Sequence, residues 1–207
     1  MENINNQILN PWVSIWTKPR ATIQQIVDTD PKNSITLLVC ISGFAGAIGR
    51  ASWKGMGDTM ELPAIFILAA VLGPFTAVIS LYIGSALICW TGKWIGGIAS
   101  SQNIRAAMAW SSVPIIWSLV LLIPELILFG EELFTTETPI LDASLSLTFT
   151  LLIFGVIEII ISIWAMVIYL KCLGQVQGFS AWKALANGFL AGLVAFIPLI
   201  SIVLLLA

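Results

Sequence analysis

The sequence predicts an all-α polytopic membrane protein with five transmembrane helices, preceded by a short amphipathic segment. Hydrophobic residues make up 58% of the 207-residue chain and charged residues only 10%, whereas charged residues make up about a quarter of a typical soluble domain. Five apolar stretches approach or exceed the roughly 20 residues that cross the hydrocarbon core of a bilayer. The basic residues between them fall on alternate sides, which predicts a cytoplasmic N-terminus and a C-terminus outside.

The first 33 residues contain no span and are expected to form a cytoplasmic or interfacial segment ahead of a transmembrane domain over residues 34–207. Asn10-Pro11 and Lys18-Pro19 each have the form of a helix start with proline at the first helical position. Trp12 and Trp16 share one face of the first helix. We expect two short amphipathic helices in the headgroup region, where tryptophan is enriched. The alternative is a soluble cap that packs on the loops.

The five predicted spans cover about residues 34–49, 62–90, 107–130, 144–170 and 184–207. Gly73-Pro74 interrupts the second span, which predicts a kink or a short interfacial lead-in before the crossing. Small residues lie four apart in the first span and in the fifth: Gly43/Ala47, Ala45/Gly49, and Ala184, Gly188 and Gly192. Such ridges allow close approach of a neighbouring helix, in the same chain or in a second copy.

The orientation follows from the lysines and arginines. Only Arg50 and Lys54 lie on the side opposite the N-terminus. The other seven lie in the N-terminal segment and in the second and fourth loops: Lys18, Arg20, Lys32, Lys93, Arg105, Lys171 and Lys183. Cytoplasmic loops carry the excess of basic residues, so the N-terminus is predicted to lie inside.

The composition excludes several kinds of site. Histidine is absent, which removes imidazole metal sites and nucleophiles activated by histidine. The three cysteines are far apart and lack metal or redox spacing. No basic stripe suited to nucleic acid is present. We therefore predict no catalytic set, no metal and no cofactor, and the expected partners are membrane lipids, other membrane proteins or a second copy of the chain.

Glu158 lies near the middle of the fourth span. A charge at that depth costs about 2.5–3.5 kcal/mol even on the lenient insertion scale. The carboxyl is therefore expected to be neutral and hydrogen-bonded to a neighbouring helix, or to face a wet cavity as part of an ion- or proton-linked site.

Glu125 follows Pro124 in the third span, at a depth comparable to that of Arg50 at the outer end of the first. The sequence predicts that these two side chains approach each other, and the alternative is a Glu125 side chain that reaches the outer surface. Asn187 in the fifth span is expected to join helices.

Lipid-headgroup contacts are predicted at five residues that combine aromatic or basic character with an interfacial position: Trp12, Trp16, Lys93, Trp94 and Arg105. For the loop residues among them, the alternative to specific phosphate binding is ordinary interfacial anchoring.

Three segments resemble the Yip1 domain family in its prokaryotic form: Leu87-Ile-Cys-Trp-Thr-Gly-Lys-Trp-Ile-Gly-Gly97, Asn103-Ile-Arg-Ala-Ala107 and Ser112-Val-Pro-Ile-Ile-Trp117. The segment from Trp16 to Thr22 is similar to that family's region before the first span. The resemblance implies a five-helix protein of a prokaryotic cell membrane with a membrane-organising or trafficking-like role. It does not extend to the small-GTPase partnership of eukaryotic members, whose N-terminal segment is longer.

The predicted function is a non-enzymatic membrane scaffold that acts through helix contacts. The alternative is a small transporter of an ion, solute or lipid that uses the intramembrane acidic residues.

Overall fold

The computed structural model describes residues 8–206, with side chains as far as Ile197, and every regular element in this range is helical. Two short helices come first, α1 (Pro11–Thr17) and α2 (Pro19–Thr29). The remaining elements are α3 (Ile35–Trp53), the 3₁₀ helix η1 (Met56–Asp58), α4 (Leu62–Trp94), α5 (Ser101–Ser111), α6 (Val113–Phe129), the 3₁₀ helix η2 (Gly130–Phe134), α7 (Pro139–Asp142), α8 (Leu145–Gln177) and α9 (Ala181–Leu206).

Four helical stretches within the described residues are long and apolar enough to cross a membrane: Ile35–Trp53, Leu62–Trp94, Ser101–Phe134 and Leu145–Gln177. The stretch Ala181–Ile197 is also apolar but shorter. These helices describe a multi-pass membrane protein with four candidate spans. The fifth crossing stays a prediction, because the last span predicted from the sequence extends beyond the described side chains. The orientation also stays a prediction.

Proline affects the second and third spans differently. α4 runs without a break through Pro74 for 33 residues, so the lead-in segment that Gly73-Pro74 allowed is not formed. In the third span, a break at Ser112 separates α5 from α6, and Pro114 lies in the first turn of α6, where its missing N–H costs no helical hydrogen bond. This span also begins earlier than predicted, at Ser101.

The chain divides into two compact units. The first comprises the described residues up to Asn33, together with Ser85–Ser111 and the residues from Ile168 onward; the second comprises Ser34–Gly84 and Ser112–Val167. The residues before the first span therefore belong to the same unit as later parts of the chain. Helices α4 and α8 contribute residues to both units.

In the first unit, both predicted N-terminal helices form, each with proline in its first turn. The Asn10 side chain caps α1 by accepting a hydrogen bond from the Trp12 N–H at 3.1 Å. Ile15 and Ile23 are fully buried, and Trp12 packs edge-on against Trp110 of α5, with ring centroids 5.8 Å apart. The chain therefore covers part of the apolar faces of α1 and α2, and their position in the headgroup region stays a prediction.

In the second unit, α3 and α4 approach so closely that their backbones touch. A Cβ added at Gly43 would lie 2.5 Å from the Gly73 carbonyl oxygen, so the predicted small-residue contact forms at this position. Gly188 and Gly192 in α9, which belong to the first unit, differ, since no described atom lies within 4 Å of a Cβ added at either. Ala184 of the same predicted ridge is fully buried, so within the described part of the chain the ridge is covered at Ala184 but not at the two glycines.

Candidate functional site

The first unit contains a buried polar network around two side-chain amides, Gln177 at the end of α8 and Asn187 in α9. Both are almost completely buried. The Asn187 amide donates to the Ile88 carbonyl at 3.1 Å and accepts from the Thr91 hydroxyl at 2.7 Å. The Gln177 amide donates to the same Ile88 carbonyl at 3.4 Å and accepts from the Ala99 N–H at 3.3 Å. The network ties α8 and α9 to the end of α4.

Two glycines leave the space that this network occupies. A Cβ at Gly92 or at Gly97 would overlap the Gln177 side-chain amide. The Gln177 backbone carbonyl also accepts from the Ile98 N–H at 3.2 Å. Sequence reasoning assigned the helix-joining role to Asn187 alone and missed Gln177. An amide side chain at the end of an apolar helix, between Gly174 and Gly178, is the signal that points to it.

The predicted headgroup residues belong to this unit and differ in exposure. Lys93 and Trp94 are exposed, and Trp94 stacks edge-on with Trp90 at 4.9 Å. Trp12, Trp16 and Arg105 are partly buried and have contacts within the protein. Lys93 and Trp94 thus present the surface that a headgroup contact requires, and the contact itself stays a prediction.

The second unit contains a cavity of about 690 Å³, lined by residues of α3, α6, η2 and α8. We call it the acidic cavity, because both Glu125 and Glu158 line it and no lysine or arginine does. Glu125 is only 5% exposed. Among the described residues, neither carboxyl makes a hydrogen bond, and Trp110 is the only residue with a fully enclosed, unpartnered side-chain nitrogen or oxygen. The Glu125 oxygens therefore reach the cavity rather than a protein donor.

The rest of the lining is mainly apolar, with three serines. The Ser52 hydroxyl donates to the Leu133 carbonyl at 2.7 Å and the Ser118 hydroxyl to the Ile115 carbonyl at 2.8 Å. Each hydroxyl donates its hydrogen to a backbone carbonyl, and its oxygen lone pairs stay available to accept another hydrogen bond. The third serine is Ser162, one helical turn beyond Glu158 on α8. The cavity thus combines two acids and hydroxyl acceptors with apolar walls.

The predicted approach of Arg50 to Glu125 does not occur within the described residues. Arg50 instead lines a separate cavity of about 370 Å³, together with Ser42, Thr76 and other residues of α3 and α4. Helical side chains lean toward the N-terminus of their helix, and Gly46 lies one turn before Arg50. A Cβ at Gly46 would lie 3.3 Å from Arg50 Nη1, so the absence of a side chain there leaves room for the guanidinium along its own helix.

The hydrogen bond from Glu158 to a neighbouring helix, one of the two predicted outcomes, is not formed with any described residue. Glu158 is exposed in the chain and faces the acidic cavity, and its place in an ion- or proton-linked site stays a prediction. The transporter alternative predicts that Glu158 and Glu125 share one pathway, and both line this cavity. The sequence alone does not show that α6 and α8 are the helices that form it.

Two acidic residues of the loops between spans accept hydrogen bonds from the chain. The Asp58 carboxylate accepts from the Thr136 N–H at 3.0 Å and from the Thr136 hydroxyl at 2.6 Å. These two hydrogen bonds lower the pKa of Asp58 below its ordinary value. Glu132 accepts from the Ile140 and Leu141 N–H groups at 2.8 and 2.9 Å. No group of three or more metal-ligand side chains occurs in the part of the chain that the structure describes.

Comparison with known proteins gave one match. The model of the Yip1 domain family matches residues 13–203, nearly the whole chain. No curated protein and no solved structure gave a significant match.

Proposed function

Because the chain belongs to the Yip1 domain family, we propose that it is a non-enzymatic membrane protein that organises the membrane through contacts of its helices with other membrane proteins. The proposal includes five crossings, a cytoplasmic N-terminus and a prokaryotic cell membrane as its location. It draws support from one surface of α8 and from the absence of histidine in the sequence.

The surface that carries the proposal is an apolar stripe along α8. Its residues are spaced four and three apart and are each 56–61% exposed: Phe149, Ile153, Val156, Ile160 and Ile163. A repeat of this kind faces one side of a helix, and left-handed packing of two helices uses the same spacing. β-Branched side chains lose little rotamer freedom when they pack. The stripe therefore suits a second helix as well as it suits lipid.

Photo-crosslinking in native membranes tests this proposal. A photoreactive phenylalanine analogue replaces Ile153 or Ile160 on the stripe, and Ile168 on the same helix, which is 1% exposed, is the matched control. We expect one recurrent protein adduct at the first two positions and none at Ile168. Adducts with lipid alone at both stripe positions would contradict the proposal.

A second candidate function is transport, and the acidic cavity favours it. Two carboxyls without protein donors line one cavity within the spans, as an ion- or solute-binding pathway requires. The test measures the flux of ions and small solutes across the membrane of proteoliposomes that contain the wild-type chain or the Glu158→Gln variant. Flux that disappears in the variant would place transport above the scaffold role, and wild-type vesicles no more permeable than empty ones would eliminate transport.

The orientation has its own test. With the native cysteines replaced, single cysteines are introduced at Lys54, just after the end of α3, and at Lys93, in the last turn of α4. An impermeant thiol reagent applied to intact cells is expected to label the first and spare the second. The reverse pattern would overturn the predicted orientation.

A further inference from the structure

We propose that the acidic cavity binds an organic ammonium ion, with its charge between Glu125 and Glu158 and its apolar part against the cavity wall. This inference names a ligand for the cavity on which the transport alternative rests, and it goes beyond the scaffold role.

The charge of the ligand follows from the two carboxyl groups of the cavity, which have no hydrogen-bond donor among the described residues. Glu125 is 5% exposed and has no donor among the described residues, and its carboxyl reaches a cavity that Glu158 also lines. An acid group buried without a hydrogen-bond partner is costly, and an ionised one far more so. No basic side chain lines the cavity to compensate. A cationic group with N–H donors would satisfy both carboxyls at once.

The size and lining of the cavity indicate an organic ligand rather than a metal ion. About 690 Å³ lies within the 300–1,000 Å³ range of small-molecule sites. Hard metal cations such as Ca²⁺ take six to eight oxygen ligands, whereas the mainly apolar lining favours a ligand that has an apolar part as well as a charge. Phe154 lines the same cavity, four residues before Glu158 on α8, and aromatic faces attract ammonium groups.

The shape of the cavity gives the ligand room for a chain. On α8 the lining residues run from Leu151 to Ser162, which is about 16 Å at 1.5 Å per residue. At one end lie Trp53, the last residue of α3, and Leu133 in η2. An ammonium group at Glu158 can therefore extend an alkyl chain toward these helix ends without leaving the cavity.

The proposal is tested by calorimetric titration of the full chain in phosphatidylcholine nanodiscs at pH 7, with empty nanodiscs subtracted. The probe is hexylammonium chloride, and 1-hexanol is its neutral counterpart of similar size. We expect saturable binding of hexylammonium by the wild type, at least tenfold weaker binding by Glu125→Gln and by Glu158→Gln, and unchanged binding by Glu61→Gln. Glu61 is exposed and does not line the cavity.

A further variant keeps both carboxyls and fills the space. No described atom lies within 4 Å of a Cβ at Gly155, which lines the cavity, so Gly155→Leu is expected to block hexylammonium. It decides the outcome if the glutamine variants fail to fold. The proposal is overturned if Gly155→Leu binds like the wild type, if the folded double glutamine variant does so, if 1-hexanol binds as tightly, or if CaCl₂ gives the only saturable signal.

Measuring hexylammonium efflux from proteoliposomes separates this site from the functions above. Binding without efflux would keep the site and eliminate transport. Absence of binding would remove the site and leave the helix-contact role unaffected.

Discussion

The two units of the molecule handle buried polar side chains in opposite ways. In the first, the amides of Gln177 and Asn187 are nearly inaccessible, and their donors and acceptors are paired with the chain. In the second, Glu125 is almost as deeply buried, yet its carboxyl meets a cavity instead of a donor. The first arrangement stabilises a particular packing of helices, and the second leaves the carboxyl oxygens available to accept hydrogen bonds from a ligand.

Burial alone therefore does not show whether a polar side chain of this protein is paired within the described chain; the hydrogen bonds of its polar atoms do. A paired amide loses a protein contact when it is replaced. An unpaired acid loses only a ligand contact, so its replacement should change binding more than stability. This contrast can be tested variant by variant.

The largest expected effect on stability concerns the glycines. Gly97→Ala should lower the free energy of unfolding by about 2–3 kcal/mol, because its Cβ would overlap the Gln177 amide in a tightly packed region. Gly49→Ala is the matched control, since Gly49 lines the acidic cavity and no described atom lies within 4 Å of an added Cβ. Equilibrium unfolding in detergent measures both. Equal losses would show that the two regions are packed alike.

A smaller loss is expected when the network itself is cut. Asn187→Ala should cost about 1 kcal/mol, the usual scale for a hydrogen bond between membrane helices. A double-mutant cycle with Thr91→Val isolates the 2.7 Å bond that joins the two side chains. We expect the paired loss to fall short of the sum of the single losses. Strict additivity would mean that this bond contributes nothing to stability.

In the acidic cavity, neutral replacement should leave stability almost unchanged. Glu125→Gln and Glu158→Gln each remove an acid that has no donor among the described residues, so we expect changes within about 0.5 kcal/mol of wild type, in either direction. The same unfolding assay applies. A loss above 1 kcal/mol would reveal a protein partner for the carboxyl and would weaken the comparison between the two units.

The sequence predicted where the helices lie along the chain better than which helices pack against each other. Asn10-Pro11 and Lys18-Pro19 gave both N-terminal helix starts, because proline at the first turn is a local signal. Hydropathy likewise located the four long spans. For α1 and α2 the sequence leaves open both a position in the headgroup region and a cap packed on the loops, since an apolar face does not reveal whether lipid or protein will cover it.

The candidate site shows the same limit. The cost of a charge within a span marks Glu125 and Glu158 as members of one possible polar site, but depth alone selects Arg50 as the partner of Glu125. Depth does not specify which faces of two helices meet. It also does not show that the missing side chain at Gly46 leaves room for the Arg50 guanidinium along its own helix. Gln177 was missed because its role depends on Gly92 and Gly97, which are distant in sequence.

The smallest effect is expected at Asp58, an exposed carboxylate that has the donors Glu125 lacks. Hydrogen bonds from Thr136 lower its pKa in the folded state, so their contribution is complete above the unfolded pKa of about 3.9 and is lost as the pH falls through the folded value. The wild type should therefore lose stability on acidification in a range where Asp58→Asn does not, and Asp142→Asn is the control in the acidic loop. Thermal unfolding between pH 7 and pH 3 measures the difference. If Asp58→Asn kept the full acid sensitivity of the wild type, the hydrogen bonds from Thr136 would not stabilise the contact between the loop of Asp58 and the loop of Thr136.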